Sequence, residues 1–376
     1  MPTEPGVRAR RPGSGARGEY KKGETLILRK EKPLLFAVLA ALSALAHAQS
    51  APALALPLDC EIGKACIVQN YVDRDPGPGA RDYRCGFLTY DGHKGTDIRV
   101  IDTQAYRRGV SVLAAASGRV RAVRDGVQDA GVRTLGRAAV AGREAGNSVV
   151  VAHGGGWETQ YAHLRKGSVA VRAGEAVEAG QRLGAVGLSG NTEFPHLHFE
   201  VRHKRAIVDP FAGSDTVAEG APAKCEASGK PLWARKAFEA LAYVPTGVLD
   251  ADIAGAPPGV GDGNVDRDRM EAFTSTAAAA VFWAQIYGVR AGDVEELRLI
   301  APDGSVAASR RARVERSQAQ RLSYVGKRRG ESAWQAGTYR GEYAVYRGPR
   351  EEKIVSLTRE ITLGPDKHAA AARRAD

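Results

Sequence analysis

The chain has 376 residues, enough for two or three domains, and its 43% hydrophobic and 26% charged content is that of an ordinary globular protein. Abundant glycine (44 residues) and sparse aromatics (6%) favour turn-rich β structure and argue against long helices. The formal charge of +11 falls to +6 once residues 1–48 are set aside; with no basic stretch interleaved with aromatics, the balance suits an anionic polymer and gives no case for a nucleic-acid binder.

In chain order, residues 1–48 read as an N-terminal extension and signal peptide. Arg29, Lys30 and Lys32 precede the apolar run PLLFAVLAALSALA (33–46), and Ala46-His47-Ala48 supplies a small-x-small cleavage pattern before Gln49. That run is short for a membrane span, so no stable span is expected after cleavage. Residues 49–84 form a lead-in with the turn-rich loop DRDPGPGARD (73–82). From Cys85 to about Phe211, short apolar runs alternate with glycines, as in GVSVLAAASGRVRAVRDG, NSVVVAHGGG and VRAGEAVEAGQRLGAVG. These read as strands joined by tight turns.

A Pro/Ala/Gly passage at 213–229 is the expected linker. Residues 230–365 then carry alternating segments, EELRLIAPDGSVAA, GTYRGEYAVYRG and KIVSLTREITLG, with a hairpin turn at Asp303-Gly304. They predict an immunoglobulin-like β-sandwich, followed by a disordered tail at 366–376. The fold class is therefore mainly β. In an exported chain the four cysteines read as two disulfides, and the favoured pairing is Cys60–Cys66 with Cys85–Cys225. Trp233, Trp283 and Trp334 read as packing residues rather than sugar platforms.

The chemistry gathers around histidines. DGHKGTDIRV (91–100) places His93 and Asp97 four apart across a glycine turn. ETQYAHLRKG (158–167) ends an alternating strand on His163, and EFPHLHFEVR (193–202) puts His196 and His198 on one face of a strand. A catalytic zinc site needs three N/O ligands and an open fourth position, which two His and one Asp can supply. The remaining two histidines are then free to handle protons. His153 reads as structural; Glu200 reads as an ordinary strand residue, with a partner role beside His198 as the alternative because the two share a face.

The order GHKGTDI, VLAAASGRV, VVVAHGGGWETQYAHL, VRAGEAVEAGQRLGAVGLSGNT and PHLHFEVR closely resembles the lysostaphin/LytM-type zinc metallopeptidases over roughly residues 85–212. That resemblance implies a compact antiparallel β-sheet peptidase domain acting on peptidoglycan. It implies one zinc ion held by His93, Asp97 and His198, with His163 and His196 as the catalytic pair. Glu193-Phe194 replaces a step that relatives usually fill with small residues, which would reshape one groove wall.

With the export signal, the resemblance favours a periplasmic D,D-endopeptidase of cell-wall remodelling, with release from the cell as the other destination. The C-terminal β region is a candidate for docking a protein partner. Alternatives are a silent or partner-gated regulator of cell-wall amidases and a secreted bacteriolytic peptidase. A lipoyl- or biotinyl-like carrier, prompted by VRAGEAVEAGQRLG, lacks the lysine that such modules need at a hairpin tip.

Overall fold

The computed structural model describes residues 50–101, 103–215, 229–259 and 265–364. The expected signal peptide, His47, Cys225, most of the linker, His368 and the tail lie outside the described residues.

Eleven strands build the first region: β1 (Cys66–Asn70), β2 (Thr96–Val100), β3 (Ser111–Leu113), β4 (Gly118–Arg124), β5 (Asn147–Gly154), β6 (Trp157–Leu164), β7 (Ala176–Val177), β8 (Arg182–Ala185), β9 (His196–His203), β10 (Ala206–Asp209) and β11 (Ser214–Asp215). Nine form one antiparallel sheet in the order β1-β2-β9-β6-β5-β4-β7, with β10 and β11 attached beside β9. β3 and β8 pair separately. The glycine-punctuated sequence thus folds as strands and turns, and the described helices are no longer than six residues.

Alternation fixes which way each strand faces. On β5, Val149 and Val151 are buried while Ser148 and Val150 are partly exposed, the period of two expected of a strand. β2 is different: all five residues are buried, and three of them, Thr96, Asp97 and Arg99, are polar. Burying polar groups is costly without partners, so β2 is the strand where chemistry outweighs packing.

Residues 50–84 pack into this first core. Leu54 and Leu58 are buried, and the Leu54 backbone exchanges hydrogen bonds with Leu232 and Ala234 on either side of Trp233. Tyr71, Tyr83, Phe211 and Tyr243 form an aromatic cluster, with the Tyr83 and Phe211 rings stacked at 4.9 Å. The Cys60–Cys66 disulfide is formed. Cys85 is also disulfide-bonded, and its expected partner lies outside the described residues.

Seven strands build the second region: β12 (Gly247–Ala254), β13 (Ala279–Val289), β14 (Val294–Ile300), β15 (Val306–Arg313), β16 (Gln318–Arg328), β17 (Gly337–Arg347) and β18 (Glu352–Leu363). Sheet β12-β13-β16 and sheet β15-β14-β17-β18 share one apolar core, with Phe282 and Ile286 from the former and Leu297, Leu299 and Val345 from the latter. Asp303-Gly304 does turn the β14–β15 connection: Gly304 takes φ +84°, and Asp303 Oδ1 accepts the Ser305 N–H at 2.9 Å. Trp233 and Trp283 are buried, and the Trp334 indole donates to the Ala277 carbonyl at 2.8 Å. Leu249 of β12 and Tyr287 of β13 belong to the first region's core, so apolar packing is continuous between the two regions.

Candidate active site

Strand register assembles the site. β2 and β9 run antiparallel with Asp97 opposite His198 and Arg99 opposite His196, so all four side chains share one face of the sheet. His93 lies in the turn before β2. Gly95 permits this turn: a Cβ there would fall 2.7 Å from His198 Cε1 and Nε2 and 2.8 Å from the Phe199 carbonyl.

His163 arrives from the third side by an irregularity. Between β5 and β6 the pairing steps from Asn147↔Leu164 to Val149↔Tyr161, so an extra residue bulges out of β6 at this point. His163 adopts φ +61°, a conformation that costs a non-glycine residue about 1–3 kcal/mol and recurs at functional sites.

Five predicted residues therefore converge. His93, Asp97 and His198 each offer a ligand atom within 4.8 Å of one another, and so do His163, His196 and His198. His93 Nε2 lies 3.2 Å from Asp97 Oδ2 and 3.3 Å from His198 Nδ1, and His198 Nδ1 lies 2.8 Å from Asp97 Oδ1. The far nitrogens are committed elsewhere. His93 Nδ1 donates to the Tyr71 carbonyl at 2.7 Å, His163 Nδ1 to Ser189 O at 2.8 Å, and His196 Nδ1 to Phe194 O at 2.9 Å. Since a neutral imidazole carries one proton, each of these rings presents an Nε2 lone pair.

The centre is thus a cluster of acceptors facing acceptors. A carboxylate and imidazole lone pairs at these separations repel unless something positive stands among them, and the donor set of two imidazoles and a carboxylate suits zinc or a similar divalent ion. The residues present fit a metal.

Electrostatics agree with that picture. Burial alone would raise the Asp97 carboxyl, but His93, His196 and His198 hold it well below the usual carboxylate range. Burial would lower His198, yet Asp97 and Glu200 push it up to about 9, so in the metal-free protein a proton sits where a cation is wanted. Burial, reinforced by His196 and His198, holds His163 well below its ordinary value, keeping it neutral.

Further residues complete the surroundings. Glu200 is no ordinary strand residue: its Oε2 lies 3.7 Å from His198 Nε2, and its other oxygen takes a contact from Arg202. The pairing orients His198 so that Nδ1 faces Asp97. The period-two spacing from His198 carried that signal. Thr192 Oγ1 lies 3.1 Å from His196 Nδ1, and the Tyr90 ring packs 4.4 Å from the ring of His93 at the exposed rim. Phe194 of the unusual Glu193-Phe194 step lies between His196 and the Arg99 guanidinium, while Glu193 pairs with Arg133 at 2.8 Å. A cavity of about 250 Å³ opens beside His93, walled by Asp73, Asp75, Asp91 and Lys94. His153 bridges Ser117 and Thr159 away from the centre, and His203 stacks on Trp157.

Comparison with known proteins agrees with the geometry. The model of Peptidase family M23 matches residues 91–210. The cell division protein DipM of Caulobacter vibrioides is 44% identical over 64 residues, 17% of this chain and 10% of that protein. The peptidoglycan DD-endopeptidase ShyA of Vibrio cholerae is 38% identical over 80 residues, 21% of this chain and 18% of that protein. The chain thus spans under a fifth of the length of either relative. Among solved structures, a zinc-containing peptidase from Vibrio cholerae is 26% identical over 38% of this chain and 39% of that one, with a TM-score of 0.25. The stretch that brings His93, Asp97, His163, His196 and His198 together, residues 91–210, is a domain of Peptidase family M23.

Proposed function

We propose that this chain is an exported zinc metalloendopeptidase that hydrolyses the peptide cross-links of peptidoglycan, with D,D-endopeptidase specificity. The carrying observation is the acceptor cluster of His93, Asp97 and His198 with two further histidines beside it, inside a domain of a peptidase family. Two relatives named peptidoglycan DD-endopeptidases support the substrate class. The periplasm is the proposed location, from the export signal read in residues 29–48 and the wall peptidases among the relatives. No helix among the described residues is long and apolar enough to cross a membrane. Residues 49–84 form the lead-in, 85–212 the peptidase domain, 213–229 the linker and 230–365 an immunoglobulin-like domain.

His93 through Nε2, Asp97, and His198 through Nδ1 would hold the zinc, which supplies a Lewis acid that acidifies water and polarises the scissile carbonyl. Neutral His163 accepts the proton of the attacking water at Nε2, since its Nδ1 proton is committed to Ser189. His196, with Nε2 3.4 Å from Asp97 Oδ1, is the second histidine of the proposed pair and lies beside the developing oxyanion. His163 then returns its proton to the departing amine. Glu200 fixes the ring of His198 and takes no part in proton transfer.

The test is digestion of intact sacculi by the mature chain beside His163→Ala. New uncross-linked muropeptides from the wild type, lost in the variant while zinc is retained, is the expected result. A zinc-loaded wild type that releases nothing would overturn the reading.

A further inference from the structure

One wall of the site is built partly by the second region. Arg99, on the site face of β2, donates to Gln69 Oε1 at 2.6 Å and to Gln320 Oε1 at 2.8 Å, and its guanidinium covers the Phe194 ring at 4.4 Å. Gln320 belongs to β16. Through it, one strand of the second region touches the same surface that carries His196.

β16 then runs away from the site with a constant orientation. Its pairs Gln320↔Tyr287 and Tyr324↔Trp283 lie on the face turned from the sandwich core, whereas Val325↔Phe282 and Ser323↔Ala284 lie on the core face. Gln320, Tyr324 and Arg328 lie in a row along that face over roughly 26 Å, with Leu322 between them packed, like Met270, against the Trp283 cluster and the Arg267 guanidinium over the Trp283 ring. Tyr324 is 47% exposed. Arg328 and its neighbour Arg329 are exposed and make no ion pair among the described residues.

We propose that the substrate groove continues past His196, over Phe194 and Gln320, onto this row of β16, where it holds an extended, carboxylate-bearing wall peptide. Tyr324 supplies an apolar platform for the peptide, and Arg328 pairs with a free carboxylate. Two observations choose the occupant. The row is continuous with the site through the Gln320–Arg99–Phe194 contacts, and its exposed cations complement the carboxylates that wall peptides carry. This inference rests on the peptidoglycan reading above and deepens it: the second region acts as part of the substrate site.

The experiment is pelleting of the full chain with intact sacculi, comparing wild type, Arg328→Glu, Tyr324→Ala with Arg328→Glu, and Arg350→Glu. Arg350 is exposed in the β17–β18 turn on the other sheet, so its reversal changes net charge equally at a distance. The double variant is expected to bind about tenfold more weakly, the combined worth of an exposed charge-assisted hydrogen bond and an apolar contact. Arg328→Glu alone should fall in between and Arg350→Glu should match the wild type, with all four melting alike. Equal losses at Arg328 and Arg350 would mean bulk charge only, and no loss at Arg328 would mean no contact; either overturns the groove extension. Cleavage of a soluble cross-linked muropeptide dimer by the wild type tests the peptidase reading separately. Its absence would sink that reading, whereas unchanged sacculus binding by the variants would sink the extension alone.

Discussion

Both regions bury acids, and Asp97 of the first is treated in the opposite way to Glu295 and Asp293 of the second. In the second region, Glu295 accepts hydrogen bonds from Arg321 Nε at 2.6 Å, Ser323 Oγ at 2.9 Å and Tyr343 Oη at 2.8 Å. Asp293 accepts from Arg347 Nε at 2.8 Å, from Arg347 Nη2 at 2.7 Å and from the Arg290 backbone N–H. Both oxygens of each carboxylate meet donors, so these acids are structural. In the first region, Asp97 and the lone pairs around it face one another, and donors are short. A buried cluster with surplus acceptors is incomplete without a cation, and that imbalance separates a functional acid from a structural one.

That contrast can be broken by substitution. The largest effect belongs to the first region. His163→Ala should cut hydrolysis by ~10²–10⁴-fold with zinc retained, as loss of one proton-handling group does, whereas His198→Ala should lose zinc and activity together; muropeptide release and metal analysis read both. Next, Glu295→Ala should cost about 3 kcal/mol in denaturant unfolding, because Arg321 and Tyr343 lose their buried partner. Its zinc content should not change. A Glu295 variant that lost zinc would collapse the distinction between the regions.

Smaller effects sharpen the comparison. Glu200→Gln should weaken zinc binding ~10–100-fold, the usual cost of losing a ligand's orienting partner, in competition with a chelator. The pH response follows from His198. Its pKa of about 9 in the metal-free protein means that binding zinc expels a proton, so affinity should rise about tenfold per pH unit up to about 9 and then level. Metal-free stability should run the other way. A histidine whose folded value lies above its unfolded value stabilises fully below about 6.5, and that contribution is lost as pH rises through about 9. A flat zinc affinity between pH 6 and 8 would remove the proton from the account.

What was legible in the sequence follows from which interactions are local. His196 and His198 announce themselves because strand alternation puts i and i+2 on one face. Asp303-Gly304 does so because its turn chemistry lies within a few residues. Gly95 was legible as a glycine in a turn, but its necessity comes from the ring of His198, about a hundred residues away. The bulge that aims His163 is a mismatch in register between β5 and β6, and neither strand carries it alone. Glu200 sat in plain view beside His198, yet only the distance to Nε2 separates an orienting carboxylate from an ordinary strand residue. The burial of Leu54 against residue 233 and the reach of Gln320 to Arg99 are tertiary contacts without a periodic signature.

The most direct test of the central claim, that the acceptor cluster holds a cation, is metal analysis of the purified chain beside Asp97→Ala, with melting recorded before and after chelation. One zinc per chain in the wild type, none in the variant, and a lower melting temperature on chelation are the results expected. A wild type that binds no divalent metal when zinc is supplied, and melts alike with and without chelator, would contradict it.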